Sequence, residues 1–204
     1  MFLDEVYRLP FEHSLTTVVD LGANIGLTSL WLHRRYGFRR GVAIEPSAMN
    51  AALAERDLRK NDVPAVVHRA AVGKADGMAR YARGLEPNLG RIVWDTDAQG
   101  ADSHTDAVRV VSMPTVVEEL GGAVSLVKID IEGSEEAILD DPSWLDRTEA
   151  LIVEFHPDAV DYPRLTKLIE SRGFRFFPVG SAYERSSDAF LRTVGAGDSA
   201  GLRQ

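Results

Sequence analysis

Cysteine is absent from this sequence of 204 residues, which excludes disulfide bonds, cysteine nucleophiles and metal sites built on thiolates. Apolar runs long enough to cross a membrane are also missing, and the N-terminal residues include acids where a signal peptide needs a basic region. Basic residues are outnumbered, and the net charge of −8 argues against a broad nucleic-acid-binding surface. We therefore expect a cytoplasmic protein that binds neither nucleic acid nor a membrane.

What is present is the composition of an ordinary globular domain, with 45% hydrophobic and 26% charged residues. Strand-like runs, among them Ala65–Val72 and Ser125–Ile131, alternate with helix-like runs along the chain. This alternation predicts an α/β, doubly wound, Rossmann-like fold with a mostly parallel sheet. Two late runs, Phe174–Val179 and Ala189–Val194, are predicted to form an antiparallel pair at the C-terminal end of that sheet.

The chain is expected to form one domain over residues 16–194, after a lead-in of residues 1–15 and before a flexible tail of residues 195–204. Residues 73–111 interrupt the alternation with glycines, prolines and short β-like pieces. A structureless loop of that length is unusual in a compact domain unless it is functional. We therefore interpret residues 73–111 as an inserted flap over the site where an acceptor substrate binds.

The stretch from Thr16 to Gly26, TTVVDLGANIG, combines a strand, a glycine turn and the start of a helix. Gly22 can adopt backbone angles that other residues avoid, and Gly26 allows close approach of the chain to a ligand. The next apolar run ends at Glu45, in VAIEP, where an acidic side chain can hold ribose hydroxyls. Together these features predict a site for a nucleotide-like ligand.

The pattern of this turn is D-x-G-x-N-x-G, which lacks the third glycine of a dinucleotide-binding turn. Asp20 places a carboxylate beside the turn, where it suits an ammonium group better than a pyrophosphate. S-adenosylmethionine has a sulfonium, an amino-acid group and a ribose but no phosphate, so it suits the turn better than NAD. We predict that the donor contacts the turn, the ends of the second and third strands and one acid of a later strand, namely Asp20, Gly22, Ala23, Asn24, Gly26, Glu45, Pro46, Ala71, Val72 and Asp130.

Charged residues alternate with apolar ones at the ends of two later runs. In a strand, Lys128, Asp130 and Glu132 would share one face, as would Glu154 and His156. Lys128 is interpreted as the partner of Asp130 in an internal ion pair. If the two strands are neighbours, four of these side chains converge at the carboxyl edge of the sheet, where ligands bind: Asp130, Glu132, Glu154 and His156.

This cluster supports two mechanisms, and its candidate catalytic residues are His156, Asp130 and Glu132. In the first, His156 or Asp130 acts as a general base that accepts a proton from an acceptor hydroxyl, and His156 needs little tuning for this near neutral pH. In the second, a divalent ion such as Mg²⁺ is held by Asp130, Glu132, Glu154 and His156. No spacing requires a metal, so the general base is preferred.

Substrate-binding residues are predicted in and near the flap: Tyr81, Asn88, Arg91, Trp94 and Glu154. Aromatic and amide side chains of this kind bind polar acceptors such as a sugar ring. An equally weighted alternative is that Tyr81 and Trp94 pack the flap against the rest of the domain. The short lead-in offers little to cover an acceptor. The acceptor is therefore expected to be large, or a second copy of the chain completes the pocket in a homodimer.

Four motifs, VVDLGANIGLTSL, AIEP, LVKIDIEGSEEAIL and LIVEFHP, resemble the FkbM-like family of S-adenosylmethionine-dependent methyltransferases. The resemblance extends from Val18 to Gly173. It implies a class I methyltransferase fold with a seven-stranded, mostly parallel sheet, and methylation of a hydroxyl on a sugar or secondary metabolite. An NAD(P)-type oxidoreductase, an N-methyltransferase and a binding protein without catalysis remain the alternatives.

Overall fold

The apolar run before the glycine turn forms the strand β1 (Thr17–Leu21), and all five of its residues are buried. The computed structural model describes residues 7–9, 15–82, 91–93, 105–156, 159–178 and 188–193. Its further strands are β2 (Arg40–Ile44), β3 (Ala65–His68), β4 (Ala70–Gly73), β5 (Gly77–Ala82), β6 (Arg91–Val93), β7 (Thr105–Ser112), β8 (Val124–Ile129), β9 (Thr148–Val153), β10 (Phe174–Pro178) and β11 (Asp188–Arg192). Its α-helices are α1 (Leu27–Tyr36), α2 (Ala48–Lys60), α3 (Met113–Glu119), α4 (Glu135–Leu139) and α5 (Tyr162–Ser171), and a 3₁₀-helix spans Pro142–Arg147.

Within these residues the larger sheet has seven strands in the order β10-β11-β9-β8-β1-β2-β3. The pairs from β9 to β3 are parallel, whereas β11 runs antiparallel to both β9 and β10. This confirms the predicted sheet and its antiparallel C-terminal pair. The chain leaves β1 towards β2 on one side and later returns to β8 on the other, so the sheet has its topological switch point between β1 and β8.

Helices cover both faces of this sheet, as predicted for a doubly wound fold. One core cluster includes residues of α3, α4 and α5 together with Trp144, whose indole N–H donates to the Ile138 carbonyl at 2.9 Å. The other includes residues of α1 and α2, and also Tyr7 and Leu9 from the lead-in. In the described part of the chain, no helix is long and apolar enough to span a membrane. The predicted tail, residues 195–204, lies outside the described residues.

The strand expected over Ala65–Val72 is instead two strands, and this prediction was wrong. The Glu45 N–H donates to the His68 carbonyl at 3.1 Å and the Glu45 carbonyl accepts from the Ala70 N–H at 3.2 Å, as a parallel neighbour of Arg69 would. Strand β2 has ended at Ile44 by this point, and the chain after Arg69 pairs with β7 instead. Strand β3 stays at the edge of the larger sheet, whereas β4 enters a second sheet in the order β4-β7-β5-β6.

This second sheet contains the described part of the predicted flap. It has a small core of its own, made of Ala71, Ala79, Tyr81, Val108 and Val110. Strand β7 pairs in parallel with β4 and antiparallel with β5, so the insertion is tied to the domain by regular backbone hydrogen bonds. A role for the flap in covering an acceptor stays a prediction.

The strand expected over Ser125–Ile131 ends at Ile129, so Glu132 does not continue the alternation as predicted. Glu132 and Gly133 both have positive φ angles, of 53° and 91°, which no strand can accommodate. Strand β9 ends at Val153 and pairs in parallel with β8, so the two strands are neighbours and the condition for convergence is met. The acidic and histidine side chains therefore lie on the loops that follow two neighbouring strands.

Candidate active site

A cleft opens at the carboxyl edge of β1 and β2, beside the switch point. The cleft is open to solvent, and the space between its walls, including the solvent at its mouth, is about 680 Å³. Its wall includes seven of the predicted donor-binding residues and two others from the predicted site: Gly22, Asn24, Glu45, Pro46, Ala71, Val72 and Asp130, with Tyr81 and Glu132. Ile92 of the second sheet lies opposite these loops, so both sheets contribute to the cleft.

The glycine turn closes tightly against the loop after β8. Gly22 has a φ of +72°, and a Cβ at this position would lie 1.7 Å from the Asp130 carbonyl oxygen. The Gly22 and Ala23 N–H groups both donate to the Ile44 carbonyl at 3.0 Å. Glycine is therefore required here by both backbone angle and space.

Glu45 is held in the cleft wall by two backbone donors. Its Oε2 accepts from the Asn24 N–H and its Oε1 from the Ser47 N–H, both at 2.9 Å. Burial raises the pKa of this carboxyl, and the two hydrogen bonds oppose that rise. Since each carboxylate oxygen can accept more than one hydrogen bond, Glu45 can still accept from hydroxyl groups.

Lys128 lies beneath the turn and is almost completely buried. Its Nζ donates to the Leu21 carbonyl at 3.1 Å and to the Gly22 carbonyl at 2.9 Å. It also lies 3.2 Å from Asp20 Oδ1 and 3.5 Å from Asp130 Oδ2. Burial disfavours the charged ammonium, but the two carboxylates outweigh it and raise the pKa of Lys128. The predicted ion pair with Asp130 is present, and Asp20 is a second partner.

The direct contact predicted between the donor and Asp20 is not supported by this arrangement. The Asp20 side chain is fully buried and accepts a hydrogen bond from Ser29 Oγ at 2.6 Å. The ammonium that it faces belongs to Lys128. Ala23 and Gly26 are buried as well, and a Cβ added to Gly26 would lie 3.3 Å from the Cα and Cβ of Ala54 in α2. Asp20, Ala23 and Gly26 therefore pack against the interior of the domain and stabilise the turn.

The side chains predicted to converge do lie together beyond β8 and β9. Asp130, Glu132 and His156 each offer one oxygen or nitrogen atom, and these atoms lie within 4.8 Å of one another. The Glu154 N–H donates to the Ile129 carbonyl at 2.8 Å, which places Glu154 beside the end of β8. Burial, reinforced by the Asp130 charge, raises the pKa of Glu154 to about 7.

The surroundings of His156 differ from those expected of a histidine that needs little tuning. Its Nδ1 lies 2.8 Å from Glu135 Oε1, and its Nε2 lies 3.4 Å from Glu132 Oε2. The hydrogen bond to Glu135 raises the pKa of His156 to about 9, against the opposing effect of burial. With a pKa of about 9, the imidazole is protonated at neutral pH.

Sequence reasoning missed two residues of this region. Glu135 is fully buried, although its position in the first turn of a short helix predicts only an ordinary exposed acid. Tyr7 is buried close enough to Lys128 and Asp130 for their charges to act on its pKa, which burial raises. A single aromatic residue in an unpatterned lead-in gives no signal for such a position.

The predicted substrate-binding residues are only partly described. Tyr81 is buried, packs in the core of the second sheet and also lines the cleft. Arg91 belongs to β6, and Asn88 and Trp94 lie outside the described residues. Glu154 lies within the charged cluster.

The sheet order, the glycine turn at the switch point and the acid at the end of β2 define a class I methyltransferase, a fold class that uses S-adenosylmethionine. Residues 20–176 match the family described as the Methyltransferase FkbM domain. The chain belongs to this family and is a methyltransferase.

Individual relatives are distant but cover most of this chain. Methyltransferase sdnD of Sordaria araneosa is 25% identical over 85% of this chain and 79% of its own length. The 31-O-demethyl-FK506 methyltransferase FkbM of Streptomyces tacrolimicus is 27% identical over 87% of this chain and 81% of its own. The crystal structure of Methyltransferase FkbM from Methylobacillus flagellatus KT has a TM-score of 0.67 at 19% identity and covers 93% of this chain. This chain spans 47% of that protein, and the likeness concerns the fold.

Proposed function

We propose that this methyltransferase transfers a methyl group from S-adenosylmethionine to a hydroxyl of a sugar or secondary metabolite. The observation that carries the proposal is the cleft at the switch point, where Glu45 is fixed by two backbone N–H groups, one of them from Asn24 of the glycine turn. The relative named 31-O-demethyl-FK506 methyltransferase supports oxygen of a natural product as the acceptor.

The charge of the cleft supports a sulfonium donor over a dinucleotide. Among the described residues that line it are three acids, Glu45, Asp130 and Glu132, and no lysine or arginine. A pyrophosphate would be repelled there, whereas a sulfonium and an ammonium would be attracted. In a thermal-shift comparison, S-adenosylhomocysteine should raise Tm and NADH should not; the reverse would favour an oxidoreductase.

Within the cleft, we assign Glu45 and Pro46 to the ribose, and Ala71 and Val72 to the adenine. Glu45 has acceptor capacity for two adjacent hydroxyls, and the two apolar residues offer a flat, buried surface. We assign the amino-acid group of S-adenosylmethionine to the region of Gly22, Asn24 and Asp130. There the Asp130 carboxylate supplies a negative charge for the ammonium of the donor.

Replacing Glu45 with alanine is expected to weaken S-adenosylhomocysteine binding by roughly 10–100-fold. The variant loses hydrogen bonds from a charged acceptor, each worth about 1.5–3 kcal/mol. Isothermal titration calorimetry measures the change. Glu55→Ala, on the exposed face of α2, is the matched control and should leave the affinity unchanged. Equal affinity in the Glu45 variant and this control would remove Glu45 from the donor site.

For the chemical step, we propose His156 as the general base. S-adenosylmethionine supplies an activated methyl group. The new oxygen–methyl bond forms as the methyl–sulfur bond breaks, and the proton of the acceptor hydroxyl passes to neutral His156 Nε2. His156 must therefore lose its proton first. A cationic donor in a cleft lined by Asp130 and Glu132 would lower its pKa, since two nearby positive charges disfavour each other.

Replacing His156 with alanine is expected to lower kcat by about 10²–10⁴-fold, the usual contribution of a general base. The affinity for S-adenosylhomocysteine should change little. In the wild type, kcat/KM should rise with pH towards about 9, because only the neutral imidazole can accept the proton. This rise should be missing in the variant. His68→Ala, whose ring pairs with Glu119 at the far edge of the sheet, is the control. Unchanged kcat in His156→Ala would exclude this residue from the mechanism.

The same cluster supports a second arrangement, in which a divalent ion orients the acceptor hydroxyl. The observation in its favour is the grouping of Asp130, Glu132 and His156 within 4.8 Å, a donor set of oxygen and nitrogen. Full activity after exhaustive treatment with EDTA would leave the general base as the mechanism. Loss of activity that Mg²⁺ restores would favour the ion.

The acceptor is expected to bind between the loops after β8 and β9 and the second sheet. Tyr81 and Ile92 of that sheet line the cleft opposite Asp130, which supports this position. Nuclear magnetic resonance of a methylated product distinguishes an O-methyl from an N-methyl group. A homodimer that completes the pocket stays a prediction, and sedimentation analysis tests it.

A further inference from the structure

We propose that Glu135 is a positioning residue for the reaction. Its buried carboxylate accepts the Nδ1–H of His156 and so fixes the imidazole with Nε2 towards the cleft. This inference rests on the proposed function, in which His156 accepts the proton.

The first support is the burial of Glu135. Its side chain has no exposed surface, and its Oε1 lies 2.8 Å from His156 Nδ1. The Gly133 N–H donates to the same oxygen at 3.3 Å, while Oε2 has no hydrogen-bond partner among the described residues. Burying a carboxylate is costly unless a strong partner offsets it. The contact with His156 is the strong partner that this buried carboxylate has, which gives the contact its importance.

The second support is the chemistry of the two ring nitrogens. An ionised carboxylate can only accept hydrogen bonds, so Nδ1 must carry the proton in the contact with Glu135. In neutral His156, the lone pair is then on Nε2. That atom lies 3.4 Å from Oε2 of Glu132, a residue of the cleft wall. Glu135 thus selects the tautomer in which the nitrogen nearer the cleft can accept a proton.

The third support is the backbone on either side of the pair. Glu135 follows a turn in which Gly133 has a φ of +91°, and a Cβ on Gly133 would lie 2.6 Å from Ala159 Cβ. The His156 carbonyl in turn accepts from the N–H groups of Ala159 and Val160 at 2.8 and 3.1 Å. The backbone segments that carry the two members of the pair therefore both contact Ala159, which fixes the segments relative to each other.

Glu135→Gln tests the role with little change in shape. Its amide group can donate to Nδ1 and favour the other tautomer, so kcat should fall by about 10²–10⁴-fold, as for other orienting carboxylates. KM and the S-adenosylhomocysteine affinity should change by less than about threefold. Glu135→Asp, which keeps a carboxylate, should recover part of kcat. Glu136→Gln, next in the same helix and paired with Arg164 at the surface, should keep wild-type kcat.

Nitrogen-15 nuclear magnetic resonance of the wild type supplies a readout that needs neither a variant nor turnover. Above the pKa of about 9, His156 should be the Nδ1–H tautomer in the wild type and should lose that preference in Glu135→Gln. The Nε2–H tautomer in the wild type would overturn the inference, as would wild-type kcat in Glu135→Gln. Absence of methyl transfer or donor binding in the wild type would instead count against the proposed function, since the tautomer is measured independently.

Discussion

Replacing Lys128 with methionine is expected to lower the free energy of unfolding by about 3–5 kcal/mol, the usual effect of removing one partner from a buried ion pair. Methionine fills a similar volume but carries no charge and no donor. Asp20 would then be left fully buried without its countercharge, and the Leu21 and Gly22 carbonyls would lose their donor. Since domains are stable by only about 5–15 kcal/mol, this is a large fraction of the total.

Urea unfolding followed by circular dichroism measures this loss. The control is Lys167→Met, at an exposed position of α5, which should change the free energy of unfolding by no more than about 0.5 kcal/mol. If the two variants were equally stable, Lys128 would not be the group that neutralises Asp20 and Asp130.

Replacing Gly22 with alanine is expected to reduce the affinity for S-adenosylhomocysteine by at least about 100-fold. A Cβ at 1.7 Å from the Asp130 carbonyl oxygen forces the turn and the loop after β8 apart, and both of them line the cleft. The positive φ adds strain of about 1–2 kcal/mol for a residue with a side chain. Calorimetry measures the affinity, and circular dichroism establishes that the variant is folded.

Gly37→Ala separates the steric effect from the backbone effect. Gly37 ends α1 with a φ of +66°, but a Cβ there would have no neighbour within 4 Å. This variant should therefore lose some stability and keep its affinity for S-adenosylhomocysteine. Equal affinity in the two alanine variants would mean that the close approach of Gly22 to Asp130 does not shape the donor site.

The larger sheet could be predicted because each of its strands is a short apolar run next to a helix with clear ends. Ser47, for example, begins α2 by accepting a hydrogen bond from the Asn50 N–H, as its sequence position suggests. The division of Ala65–Val72 could not be predicted, because apolar residues continue through the break. It depends on a change of partner strand that the sequence does not display, since β3 pairs with β2 whereas β4 pairs with β7.

The site divides in the same way. The position of Glu45 follows from the spacing between the glycine turn and the end of the next strand, which the sequence displays. The pairing of Asp20 with Lys128 could not be predicted in this way, because β1 and β8 become neighbours only when the sheet forms. Glu135 was missed for a related reason: its contact with His156 spans 21 residues, and a first-turn glutamate is ordinarily exposed. The sequence pattern thus identifies functional side chains within one segment. It does not identify the side chains of other segments that determine the protonation state of those residues.

A crystal structure with S-adenosylhomocysteine tests the central claim most directly. The account predicts the nucleoside in the cleft beside the glycine turn, with its ribose hydroxyls on Glu45 and its adenine on Ala71 and Val72. A ligand bound elsewhere, with this cleft empty at saturating concentration, would contradict it.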